Sequence, residues 1–138
     1  MRILFVFPNI AGTHYPQLGI CSIAAVARDL GHECDLYDLT IYDKGEWVSA
    51  FEARLKSFSP DLLAVYSRSN EWSFVSRLFH SVNTGNTLKV FGGPHSTVAP
   101  EEVIEIGDII VIGEGEETFA EILQTVASGN DITGIDGC

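Results

Sequence analysis

The sequence predicts an α/β domain of flavodoxin-like type: a single doubly wound sheet of five parallel strands in the order 2-1-3-4-5. Three observations lead there. Short apolar runs rich in β-formers alternate, end to end, with segments whose apolar residues recur at three- and four-residue spacing. Most of these runs are apolar almost throughout, as strands covered on both faces must be. The 138 residues, 46% hydrophobic and 20% charged, suffice for one sizeable core but not for two. Right-handed crossovers then leave a doubly wound sheet as the simplest arrangement.

Ile3 to Phe7 is too short a run for a helix and forms the first strand. Ile23, Val26, Ala27 and Leu30 fall at i, i+3, i+4 and i+7, the stripe of an amphipathic helix that Gly31 ends. The more polar ECDLYD reads as a second strand, nearer a sheet edge. Trp47, Phe51, Leu55 and Phe58 give a second helical stripe, stopped by Pro60. DLLAVYS is the third strand, followed by a helix with Val75, Leu78, Phe79 and Val82 on one face. LKVFGG is the fourth strand and DIIVIG the fifth, with a short acidic helix beginning near Pro100 between them. Phe119, Ile122, Leu123 and Val126 mark a last helix, closed by Gly129.

Composition removes several classes of function. Acidic residues number 19 against 8 basic ones, a formal charge of −11, and such a surface repels phosphate backbones and anionic membranes. Neither nucleic acid nor a membrane is therefore an expected partner. Cys21, Cys34 and Cys138 form no CxxC or CxxxCxxC cluster, so no metal ligand is assigned. Isolated cysteines make no disulfide framework, which points to a reducing cytoplasm. MRILFVFPNIAG has too short an apolar run, and no small-residue cleavage site, to read as a leader. No run approaches the length of a membrane span.

In doubly wound sheets ligands bind beyond the carboxyl ends of the strands, near the point where strand order reverses. Those ends carry PNIAGTHYPQLG, SRSNEW, GGPHST and GEGEET after strands one, three, four and five. Small residues aligned at the last three imply a flat ligand, or a long tail, slotted against the sheet edge. A phosphoacceptor domain would need clustered acids, an Asp and a Lys where this chain has Asn9, Ser67 and Gly113. A dinucleotide site would need GxGxxG after the first strand, which is missing, so Asp38 reads as a solvated strand end. A flavin mononucleotide loop keeps only Thr13, and the amino-terminal half of a nucleotide-sugar glycosyltransferase begins in a similar way without accounting for GEGEET.

Taken together, PQLGICSIAAVARDLGHE, PDLLAVYSRSN, VFGGPHSTVAPEEV and DIIVIGEGEETFAEIL resemble the amino-terminal cobalamin-binding domain of cobalamin-dependent radical S-adenosylmethionine enzymes. GGPH followed by GEGE is the most specific part. The resemblance implies that Gly92 and Gly93 let the cofactor's dimethylbenzimidazole tail pass the strand end, where a side chain would block it. On that basis Gly93→Val is expected to abolish cobalamin retention in a domain that stays folded. Pro94 and His95 would shape the following loop. Ser67, Arg68 and Ser69 match the family's serine-bearing loop, and Gly113, Glu114, Gly115 and Glu116 its last loop, whose amides open a helix. Gln17, Leu18 and Gly19 would meet the lower face of the corrin.

Each residue has a plainer reading when taken alone. The glycines serve as a turn, the glutamates favour a helix amino terminus, Ser67 caps a helix, and His14 and His95 are loop histidines. One departure from related cobalamin proteins is specific: GTHYPQLG contains a His but not the DxHxxG pattern that supplies a cobalt ligand. The resemblance therefore implies cobalamin bound with its benzimidazole displaced and no histidine in its place. The cofactor-binding domain is expected to occupy residues 1–129, with 130–138 beginning a linker to a radical S-adenosylmethionine barrel in the same polypeptide. That barrel would hold the 4Fe-4S cluster and S-adenosylmethionine. This chain alone is expected to hold cobalamin and to contain no catalytic residue, its parent being of methyltransferase type. The alternative is a nucleotide- or flavin-binding half-domain.

Overall fold

The first strand of the chain lies inside the sheet. In the computed structural model, which describes residues 1–138, β1 (Arg2–Phe7) sits between β2 (Glu33–Asp38) and β3 (Leu62–Tyr66). β4 (Leu88–Gly92) and β5 (Ile109–Ile110) follow outward, all pairs parallel, in the order 2-1-3-4-5. Register runs Ile3 to Leu62, Leu62 to Leu88 and Val90 to Ile109, so the carboxyl ends of the inner strands lie level.

Strand side chains alternate between two cores, which is why these strands are apolar on both faces. Leu4, Val6, Leu63, Val65 and Phe91 pack with α2 (Trp47–Phe58) and α3 (Trp72–Ser81) through Phe51, Phe58, Val75 and Leu78. Ile3, Phe5, Leu62 and Val90 pack on the other face with α1 (Leu18–Asp29) and α6 (Glu116–Ala127) through Ala27, Phe119, Ile122 and Leu123.

Two segments depart from the sequence reading. The expected acidic helix is two short ones, α4 (Pro94–Val98) and α5 (Pro100–Val103). Pro100 disfavours helical geometry at Ala99, which takes φ −142° and ψ 55°. β5 pairs with β4 over two residues only: Val111 N still donates to Phe91 O at 2.7 Å, but Ile112 N turns to Gly137 O at 2.8 Å. The segment 130–138 accordingly folds back on the domain. Ile135 is buried beside Phe119 and Ile122, and Thr118 Oγ1 donates to Asp136 O at 3.0 Å. No helix is long and apolar enough to cross a membrane.

Candidate functional site

On the α1/α6 face, at the carboxyl ends of the strands, the two helices part over a cavity of about 130 Å³. Phe5, Ala64, Val90 and Val111 form its floor, Ile20 and Ile23 one wall, and Phe119 the other. Gly92 and Gly93 border it at the end of β4, and the loop Gly113–Glu116 forms its rim. An apolar cavity of roughly 150 Å³ admits benzene, so this one is scaled to an aromatic ring.

The two glycines of GGPH do different work. Gly93 has φ +100°, and a β-carbon there would stand 2.8 Å from Ser67 O and 3.0 Å from the Tyr66 ring. The turn itself demands this glycine, so Gly93→Val would strain the fold as well as the cleft, and its loss of cobalamin would not by itself report on the cleft. Gly92 has no positive φ, and a β-carbon there meets only Val111 Cβ, at 3.9 Å. Its missing side chain leaves space that belongs to the cleft. Gly115 acts as a spacer, since a β-carbon there would press to 3.2 Å from Ile23 Cδ1 across the α1–α6 gap. α6 starts without a side-chain cap, leaving its first amides at the rim. The Ser22 hydroxyl of α1, together with nearby backbone amides, holds the Glu116 carboxyl below its ordinary pKa.

Of the residues expected from sequence, Gly19, Gly92, Gly93, Gly113, Glu114, Gly115 and Glu116 converge on this cleft. Gln17, Leu18, Ser67, Arg68, Ser69, Pro94 and His95 do not line it. Gln17 precedes α1 without a side-chain capping bond, and Leu18 is 75% exposed. Ser67 is fully buried and caps no helix; its hydroxyl meets Gly92 O at 3.1 Å and Ser96 Oγ at 2.9 Å, tying β3 to α4. Pro94 opens α4. His95 is not a solvated loop histidine: it is buried, packs against Trp72 with the ring centroids 4.5 Å apart and the planes tilted, and has Nδ1 3.1 Å from Ser69 Oγ.

Two buried polar residues beside the site escaped the sequence reading. Glu71 is 1% exposed, accepts from Arg68 Nη2 at 2.6 Å and Nε at 2.9 Å, and receives Ile10 N at 3.1 Å. It thereby pins the first loop to the third. Asn9 holds that loop's turn, accepting from Thr13 N at 3.0 Å and donating to Thr13 O at 2.7 Å. The spacing of Arg68 and Glu71 on a helix-opening turn was the one available signal for the pair. His14 is exposed on the same loop. No three His, Cys, Asp or Glu side chains gather as a metal site.

Fold and cleft define a flavodoxin-like ligand-binding domain whose site opens at the ends of its inner strands. The chain belongs to the B12 binding domain family, whose model matches residues 8–123. It is 29% identical to an uncharacterized methyltransferase of Pyrococcus horikoshii, covering 99% of this chain and 32% of that protein. It is 28% identical to the anaerobic magnesium-protoporphyrin IX monomethyl ester cyclase of Synechocystis, covering 99% of this chain and 30% of that protein. The chain thus spans about a third of the length of these curated relatives. Two solved structures share its fold. The radical S-adenosylmethionine methyltransferase TsrM of Kitasatospora setae, with cobalamin and a 4Fe-4S cluster, has a TM-score of 0.78 at 22% identity, over 99% of this chain and 26% of that one. The cobalamin-dependent S-adenosylmethionine radical enzyme OxsB, with aqua-cobalamin, has a TM-score of 0.78 at 14% identity, over 99% and 20%.

Proposed function

We propose that this chain is the cobalamin-binding module of a radical S-adenosylmethionine enzyme of methyltransferase type. The observation that carries the reading is Gly92: its backbone does not require glycine, yet the absent side chain keeps an apolar, ring-sized cleft open at the sheet edge. That cleft suits the cofactor's benzimidazole tail. The first amides of α6 and the carboxylates of Glu114 and Glu116 offer hydrogen-bond partners at the mouth for ribose hydroxyls and corrin amides. Gln17, Leu18 and Gly19 would meet the lower face of the corrin. The cofactor, when bound, supplies a cobalt centre able to carry a methyl group.

The reading includes a displaced benzimidazole and no histidine in its place. In its support, His14 lies in an exposed loop with Gly12, not an Asp, two residues before it. Pro16 restricts Tyr15 to extended geometry and limits how His14 can turn inward. The 4Fe-4S cluster and S-adenosylmethionine belong, in this reading, to a barrel domain of the same cytoplasmic polypeptide, in keeping with relatives three times as long. Nucleic acid is not a partner at a formal charge of −11.

The test is to incubate the chain with hydroxocobalamin, desalt it and record the visible spectrum. Corrin absorption should travel with the wild type in molar proportion, and be lost from a Gly92→Val variant with native circular dichroism. A colourless wild type would overturn the proposal. Yellow flavin absorption after a parallel incubation with flavin mononucleotide would favour the nucleotide-binding alternative.

A further inference from the structure

We infer that this cleft selects among corrinoids by the polarity of their lower base, preferring an apolar benzimidazole to a purine. The inference rests on the cobalamin reading above. The cleft's interior is made of Phe5, Ile20, Ile23, Val90, Val111 and Phe119, none of which offers a hydrogen bond. Much of the backbone at the end of β4 and just beyond β5 is also occupied. Gly92 O accepts from Ser67 N at 2.9 Å and Ser67 Oγ at 3.1 Å, and Gly93 O from Thr97 N at 3.2 Å and Thr97 Oγ1 at 3.3 Å. Val111 N donates to Phe91 O at 2.7 Å and Gly113 N to Thr97 Oγ1 at 3.0 Å. Polar side chains border the cavity only at Tyr66, the last residue of β3, and at Glu114 and Glu116 on the rim.

Such an interior recognises shape and apolar area and reads no donor or acceptor. Dimethylbenzimidazole brings two methyl groups and one free ring nitrogen. Adenine, the base of a common alternative corrinoid, brings an exocyclic amine and additional ring nitrogens. Each polar atom buried there without a partner loses its hydration uncompensated. The adenine-bearing corrinoid should therefore bind about 10- to 100-fold more weakly than cobalamin.

Equilibrium dialysis of the chain against cobalamin, its adenine-bearing analogue and cobinamide, which lacks the nucleotide tail, tests this directly. Cobalamin should bind tightest, with both others at least tenfold weaker. Ala64→Ser, which adds one hydroxyl to the floor at nearly constant volume, should narrow the gap between the two bases; an unchanged ratio would show that the floor is not its origin. Equal or tighter binding of the adenine form overturns the selectivity and leaves the cobalamin reading standing. Cobinamide bound as tightly as cobalamin removes the cleft from recognition altogether. Binding of none of the three overturns the functional reading itself.

Discussion

A β-carbon at Gly93 would strike Ser67 O at 2.8 Å, while its neighbour at Gly92 would find open cleft. Gly93→Val should therefore destabilise the domain by at least 2 kcal/mol, from left-handed strain and backbone collision together. Gly92→Val should unfold within roughly 0.5 kcal/mol of wild type, valine being at ease in a strand. Urea titration followed by circular dichroism separates them, and equal stabilities would contradict the assignment of roles. That the pair stands where the fourth strand ends was legible in the sequence. Which glycine serves the turn and which the cleft was not, because φ at 93 and the distance to Ser67 are set by how β3 and β4 end together. His14 raises the other residue-scale question. Paramagnetic resonance of the cobalt(II) form bound to this chain should show no splitting from an axial nitrogen, and His14→Ala should leave the spectrum unchanged. Nitrogen splitting lost in that variant would place a histidine beneath the cobalt.

Strand order and the main helices were readable because apolar periodicity reports burial, and burial on both faces leaves few topologies. What periodicity missed were elements shaped by a neighbour. α1 shows this: Leu30 belongs to its apolar stripe yet is 38% exposed, and of that stripe only Ala27 is fully buried, while Ile23 faces the cleft. Likewise β5 ends early because Ile112 meets Gly137, a partner 25 positions further on that no local pattern announces. Glu116 links two elements in a way that can be titrated. Its carboxyl, beside Ser22 of α1, has a folded-state pKa below the ordinary 4.5. A depressed carboxyl contributes stability that is fully present above the unfolded value and is lost as pH falls through the folded one. Glu116 remains partly exposed, so solvent screening holds this contribution to roughly 0.5 kcal/mol. Glu116→Gln should therefore be slightly less stable than wild type at pH 6, and the two should converge as pH falls through the lowered folded-state pKa. Denaturant unfolding across that range measures the difference, and parallel curves at every pH would show that the α1–α6 contact is not electrostatic.

At the scale of the whole molecule, the two cores are not equally complete. The α2/α3 side is closed by a dense aromatic set, with Tyr37 and Phe51 rings 5.0 Å apart and Phe79 and Phe91 5.2 Å apart. The α1/α6 side contains the cavity of about 130 Å³, and Tyr15 and Leu18, just before and at the start of α1, are 83% and 75% exposed. A ligand filling that cavity would finish the second core, and because the cleft exists only in the folded chain, occupancy must stabilise the fold. At ligand a hundredfold above its dissociation constant the gain is about 2.7 kcal/mol. For a domain of this size that corresponds to a rise in melting temperature on the order of 10 °C. Hydroxocobalamin should produce this rise in wild type, growing with the logarithm of its concentration, and should produce none in Gly92→Val. Cobinamide separates the parts of the ligand: without a nucleotide tail it leaves the cavity unfilled, so its shift should be at most half as large. Calorimetry on the three mixtures decides the matter. A wild-type protein that retains the corrin colour without any change in melting temperature would hold its cofactor outside the cleft, and the second core would have to be considered complete without it.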